Sequence, residues 1–234
     1  ASQQGVYRGS ALAALDTLLA RLRGDDRVEL MAVDLSVQAL TEGLVAPGSA
    51  ELQNAIAGLR QRVPLGSTDL AAALQAASQR LAEAEAKNRR IVYIGDGISA
   101  SNLLDSATLG PVVDGLRETR TSVTSFAIGP KTDTQLLAVL ANQTGGNLYI
   151  QSEMVWSDEA EGISARRAEA ENRRTAQLAG RQLAEWLTSA VFWPKSVNYP
   201  AEMGQSFPAV MPPLRADRDT VLIGTTQHAW AEET

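Results

Sequence analysis

The sequence predicts an α/β fold of the doubly wound kind, a mostly parallel sheet with helices on both faces. Two observations predict it. Helical stretches of amphipathic spacing alternate with short apolar runs as far as Ile150. Those runs carry few polar interruptions, and those at Ile91 and Val123 end in glycine-containing turns, as strands covered on both faces do.

The elements come in this order. Leu12, Leu15, Leu19 and Leu22 recur at helical spacing, so Tyr7 to Arg23 reads as a helix stopped by Gly24-Asp25-Asp26. Arg27 to Leu35 is an apolar run that suits a strand of the parallel sheet, with a short second strand near Val37 to Thr41 to pair with it. Ser49 is a candidate N-cap for a helix that carries Leu52, Ala55, Ile56 and Leu59 on one face. Leu65 to Asp69 breaks the pattern, and Leu70, Ala73, Leu74, Ala77 and Leu81 start another helix. Ile91 to Ile94 reads as a buried strand ended by Gly95-Asp96-Gly97. Pro111 suits the first residue of a helix carrying Val112, Val113 and Leu116. Val123 to Ile128 is a strand, Leu136, Leu137 and Leu140 mark a helix, and Gly145-Gly146 turns into a strand at Leu148 to Ile150. Beyond it, Asp158 to Arg174 is densely charged and reads as a solvated helix or linker, including the pairs Arg166-Arg167 and Arg173-Arg174. Leu178, Leu183, Trp186 and Leu187 form a final helix to pack on the sheet. A proline-rich extended tail comes last, with one strand expected at Thr220 to Gly224. A doubly wound sheet normally begins with its central strand, whereas this chain begins with a helix. The expectation is a fold whose first central strand is missing, with exposed strand edges and a tendency to aggregate.

Composition narrows the function. The 234 residues suffice for one large domain with an appendage, expected here as a domain over 1–190 and a tail over 191–234 that could begin a following β domain. Hydrophobic residues make up 44% and aromatics only 5%, so the core must be aliphatic. A net charge of −6 argues against a nucleic-acid partner, which needs excess Lys and Arg. The absence of cysteine removes disulfides, thiolate zinc sites and cysteine nucleophiles, and is compatible with either redox environment. No stretch approaches the roughly 20 apolar residues of a membrane span. A phosphate loop of the Gly-x-x-x-x-Gly-Lys type, a Gly-x-Gly-x-x-Gly and a Gly-x-Ser-x-Gly are all absent, and the one histidine, His228, lies in the tail. The chain is therefore not expected to be an enzyme.

In a parallel sheet, function collects at the C-terminal strand ends. Three segments belong there: Ala1-Ser2, the Leu65–Asp69 segment and Gly95-Asp96-Gly97. Ser2, Thr68 and Asp96 offer hydroxyls and a carboxylate, hard oxygen donors of the type Mg²⁺ takes. Each also has an ordinary role open to it. Ser2 can be a frayed terminus, Thr68 or Asp69 can cap the next helix, and Asp96-Gly97 can be a plain turn. Asn102 reads as a surface loop residue.

These segments, in this order, resemble the von Willebrand factor type A family. Its metal-ion-dependent adhesion site combines an Asp-x-Ser-x-Ser element, a loop threonine and an aspartate in a Thr-Asp-Gly turn. Ala1-Ser2 resembles the last two positions of the first element, Gly66-Ser67-Thr68-Asp69-Leu70 resembles the Gly-Thr-Asp-Leu loop, and Gly95-Asp96-Gly97 resembles the Thr-Asp-Gly turn. Gly95 departs from the pattern, which costs a hydroxyl beside the carboxylate. The resemblance covers Ala1 to Ile150, and the helix up to Ala190 closes the domain. The tail, around Met211-Pro212-Pro213-Leu214, is similar to the segment just after this domain in inter-alpha-trypsin inhibitor heavy-chain-like proteins. The family implies a Rossmann-like fold and an Mg²⁺, Mn²⁺ or Ca²⁺ ion held by Ser2, Thr68 and Asp96. It implies a protein partner that presents a carboxylate to the ion. It also implies that the Asp and first Ser lie upstream of Ala1, so that this chain alone binds the ion weakly or not at all. The alternative is a structural or scaffolding domain without metal function.

Overall fold

The computed structural model describes residues 5–34, 36–63, 68–84, 86–99, 106–157 and 162–226. The elements run α1 (Gly5–Leu19), β1 (Met31–Val33), β2 (Val37–Ala39), α2 (Ala50–Gln61), α3 (Leu70–Glu83), β3 (Arg89–Gly95), α4 (Ser106–Glu118), β4 (Thr121–Ala127), α5 (Thr134–Thr144), β5 (Leu148–Ile150) and α6 (Ile163–Thr188). The tail adds β6 (Val191–Phe192), β7 (Met203–Phe207), β8 (Leu214–Arg215) and β9 (Ile223–Thr226).

β3, β4 and β5 form a parallel sheet in that order, with β3 and β4 paired from Arg89↔Thr121 to Gly95↔Ala127. Strand periodicity sends alternate side chains to opposite faces. On one face Ile91, Tyr93 and Val123 join Leu70 and Leu74 of α3, Val112 and Leu116 of α4, and Leu137 and Leu140 of α5. On the other, Val92, Ile94 and Phe126 meet Ala11, Ala14 and Leu18 of α1 and Ala176, Ala179 and Leu183 of α6. Helices thus cover both faces, as the alternation predicts. α1 and α6 approach closely because Gly180 lies against the Ala14 carbonyl, where no Cβ would fit. The leucines Leu15 and Leu19 of α1 face a smaller cluster with Leu30, Leu52 and Ala55.

β4 is buried along its whole length although it carries Thr121, Ser122, Thr124 and Ser125. Hydroxyls satisfy its backbone where β5 does not reach. The Val123 N–H donates to Thr144 Oγ1 at 2.9 Å, and the Thr144 hydroxyl donates to the Leu140 carbonyl at 2.6 Å. At the strand starts, Arg89 donates to the Thr119 and Ala84 carbonyls at 2.9 and 3.3 Å, and Arg90 donates to the Ser189 carbonyl at 2.7 Å. These cations serve the C-terminal carbonyls of three helices, where positive charge is favoured.

Several expectations are corrected. Among the described residues the run from Arg27 does not join the parallel sheet: β1 is three residues long and pairs antiparallel with β2. The pairing with a second strand near Val37 does hold. α1 stops at Leu19, because Arg21 and Leu22 already bond to the carbonyls three residues back, in a tightened turn. Pro111 lies inside α4, which begins at Ser106, so its missing N–H falls opposite the Ala107 carbonyl in the first turns. The charged stretch and the final helix are one continuous 26-residue α6. Leu178 on it is exposed, while Leu183 is buried. Ala176, Ala179 and Gly180 make the buried stripe that leucine spacing alone misses. The tail strand is β9, Ile223–Thr226, and it pairs antiparallel with β7.

The tail docks at the strand-start end of the sheet. Arg215, fully buried in its side chain, pairs with Asp217 at 2.6 Å and donates to the Gly145 and Trp186 carbonyls at 2.9 Å each. The Arg215 hydrogen bonds hold the Asp217 carboxyl down to about 2, below its ordinary 3.8. Because the folded value is the lower one, this stabilisation is present above the ordinary value and is lost as pH falls through the folded one. Arg215→Met should therefore lower stability by about 3 kcal/mol in denaturant unfolding, since two carbonyls and a carboxylate lose their donor. Asp217→Asn should unfold more readily than the parent at neutral pH, with the gap closing as pH falls from about 4 to about 2.

Candidate metal centre

Asp96 comes directly after β3, at the C-terminal end of the strand, and is half-buried. Its backbone is held from the neighbouring strand's helix: the Asp133 N–H donates to the Asp96 carbonyl at 2.7 Å. Asp133 also caps α5, its Oδ1 accepting from the Leu136 N–H at 2.9 Å. One carboxylate oxygen of Asp96, Oδ1, accepts from the Ile98 N–H at 3.0 Å, the short turn that an Asx residue favours. Among the described residues, Oδ2 has no hydrogen-bond partner. Gly97 then takes φ +76°, and a Cβ there would stand 2.8 Å from Leu137 Cγ and 3.1 Å from the Asp133 carbonyl. Its N–H donates to the Tyr93 hydroxyl at 3.2 Å. Burial, opposed by that hydrogen bond and reinforced by the Asp96 charge, pushes the Tyr93 phenol above its usual range, so it keeps its proton.

The second loop leads into α3. Asp69 is the N-cap, with Oδ1 accepting from the Ala72 N–H at 3.0 Å. Of the two capping residues the sequence offers, the structure therefore uses Asp69, and the Thr68 hydroxyl has no partner among the described residues. Ser99, buried, ties this loop to the Asp96 turn. Its hydroxyl donates to the Thr68 carbonyl at 3.4 Å and accepts from the Leu70 N–H at 3.2 Å. A further tie comes from Asp34, just beyond β1. Its carbonyl accepts from the Asp69 N–H at 3.3 Å, and its carboxylate pairs with Arg62 at 2.6 Å. Arg62 also bonds to Gln38, and its own carbonyl accepts from Arg8 at 2.6 Å.

The fold thus brings the Thr68 and Asp96 loops together. Ser2, Gly66, Ser67, Asn102 and His228 lie outside the described residues. Among the described residues, no group of three or more His, Asp or Glu side chains is placed to hold a metal. Ser99, Tyr93 and the Asp34–Arg62 pair were not singled out by the sequence. The one signal for Tyr93 is its spacing, two residues from Gly95 on the same strand face.

The von Willebrand factor type A domain family matches residues 1–150, the span that contains both loops. The chain belongs to that family. As a von Willebrand factor A domain it is of a kind that mediates protein interactions and is generally non-enzymatic. Among solved structures, a von Willebrand factor type A protein from Catenulispora acidiphila shares its fold at a TM-score of 0.61 and 13% identity. That match takes in 78% of this chain but only 39% of the other protein. Manganese-loaded TRAP protein of Plasmodium vivax aligns at a TM-score of 0.46 and 15% identity, over 70% of this chain and 64% of that one. The conserved hypothetical protein BatB from Bacteroides thetaiotaomicron aligns at 0.46 and 12% identity, over 77% and 92%. No curated protein matches the sequence. Among the described residues, no helix of this A domain is long and apolar enough to cross a membrane.

The turn after β3 admits little change. Gly97→Ala should cost about 1–2 kcal/mol from the left-handed backbone alone, measured by thermal unfolding, with the Leu137 overlap adding to it.

Proposed function

We propose that this A domain binds a protein partner through a divalent cation held by Thr68 and Asp96, with Ser2 as a third oxygen donor. The observation that carries the reading is a pair of oxygens without partners among the described residues, Thr68 Oγ1 and Asp96 Oδ2. They sit on loops that Ser99 joins at the C-terminal end of β3. Hydroxyl and carboxylate donors fit Mg²⁺ or Mn²⁺, which take hard oxygen ligands and keep several waters. Such an ion, bound mainly by neutral oxygens, would supply an electrophilic position that accepts a carboxylate from the partner.

This chain's own residues do the positioning. Asp133 fixes the Asp96 backbone, Asp69 frees Thr68 from capping duty, and the Asp34–Arg62 pair steadies the loop before α3. The α3 and α5 N-termini, capped by Asp69 and Asp133, flank these loops and favour an anionic group beside them. Residues 1–190 would form the binding domain, and the tail at 191–234 would be an appendage whose Arg215 is anchored at the other end of the sheet. No nucleic-acid role is proposed, in keeping with the charge of −6.

The second reading is a scaffold without metal function, which the lack of a multi-carboxylate group among the described residues favours. Mn²⁺ titration of the intact protein separates the two. Asp96→Ala should weaken Mn²⁺ binding by more than the roughly 10–100-fold typical of outer-shell changes, and Thr68→Ala should weaken it less. Mg²⁺ should raise the parent's melting midpoint and leave that of Asp96→Ala unmoved. Equal Mn²⁺ affinity in parent and Asp96→Ala would decide for the scaffold.

A further inference from the structure

Gly95 leaves space that the Tyr93 phenol occupies. A Cβ added there would overlap the Tyr93 hydroxyl oxygen and lie 2.7 Å from Cζ of the same ring. Tyr93 and Gly95 are two apart on one strand, so their side chains project to the same face. The phenol therefore reaches along β3 and fills the space that a side chain at residue 95 would take. From there its oxygen accepts the Gly97 N–H at 3.2 Å, on the far side of Asp96. The ring itself packs against the cluster under α3, α4 and α5.

We propose that Tyr93 is a positioning residue of the metal centre: its hydroxyl reaches past Gly95 and fixes the turn that aims Asp96. The inference rests on the metal-site reading for its functional part, and on this geometry alone for its structural part. The Gly97 N–H has no other acceptor among the described residues. Without the phenol oxygen, the residue that follows Asp96 loses its anchor. The Asp96 carboxylate would then be held by the Ile98 N–H and by whatever it binds. Tyr93 and Gly95 form a matched pair. A side chain at residue 95 would push the end of the phenol out of its present position.

The test has two independent readouts on the intact protein. Tyr93→Phe keeps the ring and removes only the oxygen. It should raise amide hydrogen exchange at Gly97 about fivefold without metal, the worth of one ordinary hydrogen bond. It should also weaken Mn²⁺ binding about fivefold, with the metal-free melting midpoint lowered by only about 2–4 °C. Tyr93→Ala should weaken Mn²⁺ binding further. Gly95→Thr should displace the phenol from the Gly97 N–H and weaken Mn²⁺ binding as Tyr93→Phe does. Unchanged Gly97 exchange in Tyr93→Phe overturns the proposal, as does unchanged Mn²⁺ affinity in a parent that binds the ion. If the parent and Asp96→Ala bind Mn²⁺ equally, the metal-site reading falls instead, and Gly97 exchange alone then decides whether Tyr93 holds the turn.

Discussion

The arrangement at the strand ends depends on the parallel pairing of β3 and β4. The two seven-residue strands run in register from Arg89↔Thr121 to Gly95↔Ala127. Their parallel direction places Gly95 and Ala127 at the same end, so the turns after them meet. That is why the Asp133 N–H, after one strand, can bind the Asp96 carbonyl, after the other, at 2.7 Å. An antiparallel pairing would send those two turns to opposite ends, and neither the Asp96 turn nor the α5 N-cap would have its neighbour. Burial fixes the pairing in turn. β4 is covered on both faces, and a one-residue slip would exchange Phe126 and Val123 between two different clusters.

The same directionality separates binding from assembly. Helix C-termini collect at the strand starts, where Arg89 and Arg90 donate to their carbonyls and Arg215 locks the tail. Helix N-termini collect at the strand ends, where Asp69 and Asp133 cap them. Arginines therefore serve helix carbonyls at one end of the sheet and aspartates serve helix N–H groups at the other. The capping aspartates are occupied by backbone N–H groups. Asp96 caps no helix, and among the described residues it is left with a free carboxylate oxygen at this end.

The order and type of elements from Ser49 to Ile150 were legible because each carries a local signal. Ser49 caps, the glycines at 95 and 97 stop a strand, and the leucines of α5 repeat at helical spacing. The illegible parts depended on tertiary context. The run at Arg27 is apolar enough for a buried strand, yet among the described residues β1 is three residues long and pairs with β2. The charge-rich start of α6 concealed a single long helix, because its buried face is built of Ala168, Ala176, Ala179 and Gly180 rather than large residues. For the site, Thr68 and Asp96 stood out by motif. Ser99 did not, because a serine in a loop announces nothing until the loop it bridges is in place. Tyr93 was hidden as a core aromatic, and only the folded turn, with the Gly97 N–H against its oxygen, shows that the phenol has a partner.

β3 differs from β4 in one further respect. β4 is buried at every position and pairs on both sides, whereas β3 is only partly buried before Gly95 and, among the described residues, pairs along one edge. Alternate backbone amides of β3 therefore point away from β4. Its solvent exchange should divide residue by residue, slow where the amide faces β4 and fast where it faces outward, while β4 exchanges slowly throughout. Asp96 is attached to the end of the strand with this lopsided protection. The carboxylate then sits at the end of a strand whose two sides differ in their protection among the described residues.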